Sequence, residues 1–331
     1  MHYLKQQKLK NMNKPNLFNW ATSELSQDAF ISWLLSWVNY PDNVELNKTA
    51  KYLIKKLTDN KVEKVEKIEI IKQRYKIDIL CIVNNEYAIL IEDKTNTKSH
   101  SNQLENYLTK LSKDFPREKI FPIYFKTGDQ SNFATINKAG YKLFLRPDFI
   151  EVLDFGRNQG VTNSIYLDFH DYLIRIENSV QSFKTLPVDK WHWDSWIGFY
   201  TELQKQLNDG TWDYVPQKNG GFLGFWWHWK RKEFEDIGFD YYLQLEHGKF
   251  CFKLYPYKRE KARQIRDYYR SLLYSKAKEH NIEIYQNGRI GKWMTVAALK
   301  KAYIKRDKNG FLDMEQTIKT IKNIQNMLDE I

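Results

Sequence analysis

The sequence predicts an α/β core with a mixed central sheet flanked by helices, followed by an α+β module. Three observations carry this expectation. Over the first half, segments of helical period give way to short β-favouring runs in the order helix, helix, strand, strand, strand, helix, strand. Two of those runs, 77–83 and 87–91, flank Asn84-Asn85-Glu86 as a β-hairpin whose far end gathers charge. Beyond Leu186-Pro187 the composition changes to indole-dense strands, paired hairpins and amphipathic helices, which is the pattern of antiparallel strands with helices.

The elements follow in order. The opening MHYLKQQKLKNMNKPN is basic and lacks the apolar centre of a signal peptide, so residues 1–16 are expected to form a flexible tail. Thr22 or Ser23 caps a helix over 22–38 that is apolar almost all round beyond Asp28, so it should be buried; Pro41 ends it. A second helix over 47–60 leads into a strand at 65–73. The hairpin follows, then a helix over 98–113 with Leu104, Leu108 and Leu111 at helical spacing. Strands at 120–125 and 141–145 come next. Pro147 then opens a helix, and another spans 165–182.

The charges of the hairpin are the informative feature. Asp78 interrupts the first run, and Glu92, Asp93 and Lys94 close the second. Alternation puts Glu92 and Lys94 on one face, and pairing around the turn brings Asp78 close to Glu92. Neighbouring carboxylates repel unless a cation lies between them, and hard oxygen ligands suit Mg²⁺ or Mn²⁺. Such an ion stabilises charge on a phosphoryl oxygen and acidifies water, which Lys94, expected as an exposed strand-end lysine, can orient. That is equipment for cutting a phosphodiester. A surface hairpin with an ordinary Glu–Lys pair is the plain alternative, since D-x(n)-E-x-K is a loose pattern.

Gln103 and Tyr107 lie four apart on the next helix and share a face. Together, Asp78, Glu92-Asp93-Lys94 and Gln103-Leu104-Glu105-Asn106-Tyr107 resemble the PD-(D/E)XK nuclease superfamily, and within it the bacterial branch with a Q-x-x-x-Y motif. The segment is also similar to a bacterial subfamily with Arg-x-Asp-Ile, Ile-Glu-Asn-Lys and Gln-Leu-x-x-Tyr. Here Lys76 stands for the arginine and Asp93 for the asparagine. The resemblance covers about residues 17 to 185 and implies a restriction-endonuclease-like core. It implies Asp78, Glu92 and Lys94 as catalytic residues. Asp78, Glu92 and Asp93 (through its carbonyl) would be metal ligands, with Glu24 of the first helix added and Asp28 in reserve. Gln103 and Tyr107 would bind substrate and support the site. It further implies Mg²⁺ or Mn²⁺ as cofactor, nucleic acid as partner with DNA favoured over RNA, and a bacterial defence or restriction role such as phage defence. The other class of function is a catalytically silent nucleic-acid- or protein-binding module on the same fold; a homo-oligomer or a defence-system partner is compatible with either.

Composition is consistent with that partner. The 331 residues carry a formal charge of +11 and a pI near 9.2, which suits a polyanion. General lysine richness would give the same figure. The excess is spread: residues 1–185 hold 27 Lys and Arg against 22 Asp and Glu, and residues 186–331 hold 25 against 19. Cys81 and Cys251 each lie in apolar runs and read as reduced core residues. No apolar run approaches the roughly 18 residues of a membrane span, so a cytoplasmic location is expected.

The expected organisation is therefore a tail over 1–16, a nuclease-like domain over 17–185 and an accessory domain of unknown role over 186–331. The latter should contain Trp191-x-Trp193-x-x-Trp196 leading a helix to about Leu207, a strand at 222–229 and a hairpin about His247-Gly248. A basic helix over 260–280 bearing Arg263, Arg266 and Arg270 follows, then a hairpin about Asn287-Gly288 and a closing helix from Met314. Its aromatics could stack on bases and its arginines hold phosphates, or both could be core and solvated face. Tyr124 and Lys126 fit core or surface roles better than substrate contact, and His228 and His247 read as structural.

Overall fold

The computed structural model describes residues 15–72, 74–95, 101–217, 220–286 and 289–331. The chain forms two compact units. The first runs to Asp129 and takes in Phe133–Glu177; the second is Gln130–Asn132 with Asn178–Ile331.

In the first unit, α1 (Glu24–Ser36) and α2 (Val44–Leu57) precede β1 (Ile68–Lys72), β2 (Ile79–Val83) and β3 (Tyr87–Lys94). Then come α3 (Ser101–Leu111), β4 (Ile120–Lys126), a one-turn α4 (Ala134–Lys138), β5 (Lys142–Leu145), α5 (Arg146–Asn158) and α6 (Ser164–Gln181). The sheet order is β1-β2-β3-β4-β5. The β1–β2 and β2–β3 pairs are antiparallel, whereas β4 joins β3 in parallel and β5 joins β4 in parallel. Asn84 and Asn85 both take positive φ, 54° and 56°, in the hairpin turn. Asparagine tolerates that region.

The pleat decides which side each residue of β3 serves. Ile89 and Ile91 join the core made with Phe30, Ile31, Leu34 and Leu35 of α1, Leu53 of α2 and Phe149 of α5. Ala88 and Leu90 join Leu104, Tyr107 and Leu111 of α3 on the other side. Each such buried side chain contributes about 1.5–3 kcal/mol, so a one-residue slip would expel a whole set and the register is firmly fixed. The same parity sends Glu92 and Lys94 toward α3 and Asp93 toward α1.

Element boundaries move slightly from the sequence expectations. Ser23 stands at the N-cap of α1 but spends its hydroxyl on Ser26. Asn43 caps α2, accepting from the Leu46 N–H, so that helix starts earlier than expected. The supposed tail is outside the described residues except for its last two. Of these, Asn16 is buried and donates to the Asp168 carbonyl (2.6 Å). Gln73, at the end of the expected first strand, and 98–100, at the start of the expected helix, also lie outside them.

The second unit contains α7 (Trp193–Leu207), β6 (Thr211–Val215), β7 (Phe222–Phe234), β8 (Ile237–Glu246) and β9 (Lys249–Pro256). It continues with α8 (Ala262–Glu279), β10 (Ile284–Gln286), β11 (Met294–Leu299), β12 (Lys305–Arg306), β13 (Leu312–Asp313) and α9 (Met314–Asp329). Six strands form one sheet, β10-β11-β9-β8-β7-β6, with antiparallel neighbours throughout. Phe199, Tyr200, Ile265, Tyr269, Ile321 and Leu328 of the three long helices share one core with the sheet. The strand β6 and the extension of β7 to Phe234 had no counterpart in the sequence reading. The Asn287-Gly288 turn lies outside the described residues, although β10 and β11 do pair antiparallel. Arg266 is buried, and both Arg266 and Arg270 bond Asp267, so of the three helix arginines only Arg263 is exposed. Cys81 and Cys251 are buried free thiols.

Candidate active site

The site forms where β2 and β3 run out together. Ile79 faces Ile91 at the end of the ladder, so the next residues, Asp78 and Glu92, come side by side. Asp78 is locked there by the backbone: its Oδ2 accepts from the Asp93 N–H (3.0 Å). The Lys94 ammonium lies between the acids. It is 2.9 Å from Glu92 Oε1, 2.6 Å from the Asp93 carbonyl, 3.3 Å from Asp78 Oδ2 and 3.9 Å from Glu24 Oε2. The first turn of α1 delivers Glu24, whose other oxygen accepts from the Thr95 N–H (3.3 Å). Four oxygens from three segments thus surround one cation.

This corrects one expectation. Lys94 is not an exposed strand-end lysine: its side chain is 11% exposed. Burial works against its charge, but Glu92, Asp78 and Glu24 outweigh that and hold the ammonium above its ordinary range. Glu92 has no exposed surface. Burial first, then the Asp78 charge, pushes its carboxyl up to about 7 against the pull of Lys94. Among the described residues its Oε2 has no hydrogen-bond partner.

Gln103 and Tyr107 sit where the first turns of α3 meet this cluster. The Gln103 amide donates to Glu92 Oε1 (3.4 Å) and to the Tyr107 hydroxyl. Tyr107 is 4% exposed and donates onward to the Lys76 carbonyl (2.7 Å). The pair therefore braces Glu92, and Tyr107 spends its hydroxyl inside the fold.

Behind β3 lies a second acidic layer that the sequence reading largely missed. Gln27 donates to Asp93 Oδ1 (2.5 Å), and Thr127 donates to Gln27 Oε1 (2.5 Å). Burial raises Asp93 well above the carboxylate range, against the Gln27 bond. Burial, then the Asp78 charge, pushes Asp28 up to about 6. Among the described residues Asp28 Oδ1 and Asp93 Oδ2 both lack partners unless one of the two carboxyls keeps its proton. Only the position of Asp28 one turn after Glu24 pointed here; nothing in the spacing marks Gln27 or Thr127. Tyr124 and Lys126 are buried. Lys126 donates to the Thr95 carbonyl (2.9 Å), and burial pulls its pKa down to about 8.

Among the described residues, no trio of His, Cys, Asp or Glu closes on a metal by itself. The acids converge on the Lys94 ammonium instead. The donor set nevertheless fits a small hard cation: two carboxylates, one backbone carbonyl, a third carboxylate within reach, and an orphaned buried oxygen on Glu92. No helix among the described residues is long and apolar enough to cross a membrane.

A mixed five-stranded sheet with helices on both faces, carrying carboxylates and a lysine where an antiparallel hairpin meets a parallel strand, defines a nuclease-type α/β core. Residues 12–184 match the PD-(D/E)XK nuclease superfamily, and the chain belongs to it. Proteins of this superfamily usually use divalent metals. No curated protein and no solved structure matches the chain.

Proposed function

We propose that the protein is a Mg²⁺- or Mn²⁺-dependent nuclease that hydrolyses phosphodiester bonds in DNA, acting in the cytoplasm in a bacterial defence or restriction setting. The nuclease domain is read over 17–185 and the accessory domain over 186–331. The observation that carries the proposal is the convergence of Asp78, Glu92, Glu24 and the Asp93 carbonyl on Lys94.

Asp78, Glu92, the Asp93 carbonyl and Glu24 would hold the ion. When bound, it supplies Lewis-acid charge at the phosphate and acidifies nearby water. Lys94 orients the attacking water and supports the negative charge that develops as that water loses its proton. Gln103 fixes the rotamer of Glu92 and, with Tyr107 behind it, forms the Q-x-x-x-Y element. Asp93 contributes its carbonyl, while its side chain anchors β3 to α1 through Gln27.

Purified protein incubated with circular and linear DNA, with and without Mg²⁺ or Mn²⁺, tests the reading. Cleavage that requires the ion and is lost in folded Lys94→Ala supports it. Absence of cleavage of any DNA or RNA, with binding retained, would instead favour the silent binding module.

A further inference from the structure

The second sheet packs its helices against one set of strand residues, including Trp227, Tyr241, Leu243, Phe252 and Leu254. The alternate residues, among them Trp226, Tyr242, Gln244, Lys253 and Tyr255, face the other way. On that other face a run of rings is in contact. Trp229 stacks on Tyr242 at 3.9 Å between centroids and 15° between planes. Trp293 stacks on Tyr255 at 4.1 Å and 20°. The two indoles meet edge to face at 6.2 Å. Trp229 is 45% exposed and Trp293 is 51% exposed, whereas Trp227, one pleat away, is wholly buried.

A bulge creates this arrangement. Pairing of β7 with β8 passes from Trp227↔Leu243 to Lys230↔Tyr241, so β7 carries one extra residue. His228 absorbs it with φ at +59°, a strained value for a residue other than glycine, and its N–H donates to Asp209 Oδ2 (3.0 Å). In a regular strand Trp229 would share the side of Trp227. The bulge turns it onto Tyr242 and sends Lys230 to the helix side, where it pairs with Asp329 (2.6 Å). The fold thus spends backbone strain on holding an indole in water.

The surroundings are cationic. The Lys292 ammonium lies over the Tyr255 ring at 5.7 Å, and the Arg231 guanidinium over the Tyr257 ring at 5.1 Å. Lys249 and Lys253 border the same face, offset in part by Glu246, and Asp240 lies opposite Arg231, accepting from the Tyr257 hydroxyl (2.6 Å). Flat rings ringed by positive charge complement a polyanion whose own π-faces are bare. Bases in a duplex are stacked on each other and offer no face.

We propose that this face is a stacking platform for single-stranded nucleic acid, with bases on Trp229 and Trp293 and phosphates on Arg231 and Lys292. The choice of nucleic acid over an oligosaccharide rests on the nuclease reading of the first unit. The platform would give the chain affinity for an unpaired strand.

The test uses the full chain in EDTA, with a fluorescently labelled oligothymidine and anisotropy as readout. Trp293→Ala and Trp229→Ala should each weaken binding roughly 5- to 100-fold, the range for losing one stacked base. Trp229→Phe, which keeps the strand and a ring, should retain most of the affinity and controls for misfolding. The double change Arg231→Ala with Lys292→Ala should make the slope of log affinity against log salt shallower by roughly 1 to 2. Equal affinity of wild type, Trp293→Ala and Trp229→Ala would overturn the proposal, as would equal binding of duplex, or an oligosaccharide that displaces the strand. Trp-dependent binding without any metal-dependent cleavage would keep the platform and refute the nuclease reading. Unchanged binding by the tryptophan variants alongside intact cleavage would do the reverse.

Discussion

Replacing Lys94 with methionine keeps most of the stem's volume and removes the ammonium that four oxygens share. Glu92 is fully buried, and breaking such a pair costs about 3–5 kcal/mol because it strands a charge. Asp78 and Glu24 are 29% and 31% exposed and regain water, which trims the expected loss to about 2–4 kcal/mol at pH 8. The loss must depend on pH. Glu92 titrates near 7 in the native state against an ordinary 4.5, so the native protein binds more protons across that window. Its contribution therefore favours folding below pH about 4.5 and is lost as pH rises through about 7. Without Lys94 the native value rises further, and the penalty extends to higher pH. Below pH about 5 Glu92 is protonated in both proteins, and the difference should fall under about 1 kcal/mol. Thermal melts without metal at pH 8 and pH 5 read this out. A drop of roughly 5–15 °C at pH 8 and a small one at pH 5 are expected. An equal drop at both pH values would refute the charge argument, and cleavage by the folded variant would remove Lys94 from the chemistry.

Other expectations follow from the same geometry. The Mg²⁺ concentration for half-maximal cleavage should rise about tenfold for each pH unit below about 7, since Glu92 must release its proton to bind the ion; a flat requirement from pH 6 to 8 would place Glu92 outside the ligand set. Gln103→Ala should lower the cleavage rate more than the melting temperature, and a large melting loss with normal activity per folded molecule would make the glutamine structural. Tyr107→Phe should cost about 1 kcal/mol of stability, through loss of the bond to the Lys76 carbonyl, as read in denaturant unfolding. Gln27→Met strands Asp93 and Thr127 together and should cost about 2–3 kcal/mol; an unchanged unfolding midpoint would show the relay to be idle.

The parts of this molecule legible in the sequence are those set by local period. The alternation of β3 and the Asn84-Asn85 turn place Glu92 and Lys94 on one face beside Asp78, and the four-residue step in α3 aims Gln103 at Glu92. What sequence could not supply depends on partners far along the chain. Gln27 meets Thr127 across 100 positions, and no spacing rule announces that. Lys94 reads as a solvated strand end because Glu24 at the start of α1, one of the acids that enclose it, comes from elsewhere in the fold. In β7 the run of indoles fits core packing or base stacking, and plain alternation would put Trp227 and Trp229 on one side. The bulge at His228, set by a positive φ that histidine does not advertise, splits Trp227 from Trp229.

The two acidic layers about β3 have one physical consequence that ties them together. Asp93 follows Glu92 in sequence, so the strand cannot present one without burying the other on its opposite side. An asparagine at that position, as in the bacterial pattern the segment resembles, could accept the Gln27 hydrogen bond without a charge. An acid there adds what the bond does not need: a negative field directly behind the carbonyl that points at Lys94. Burial opposes that field by favouring the protonated form, which is why Asp93 titrates high; burial and the Asp78 charge raise Asp28 as well, against the pull of its bond to Asp93. A second cation in front of the strand would tip the balance, drawing protons off the rear layer as it binds. On the proposed function, front and rear acids would then act as one electrostatic unit; in the cation-free protein their raised pKa values already cost stability at neutral pH.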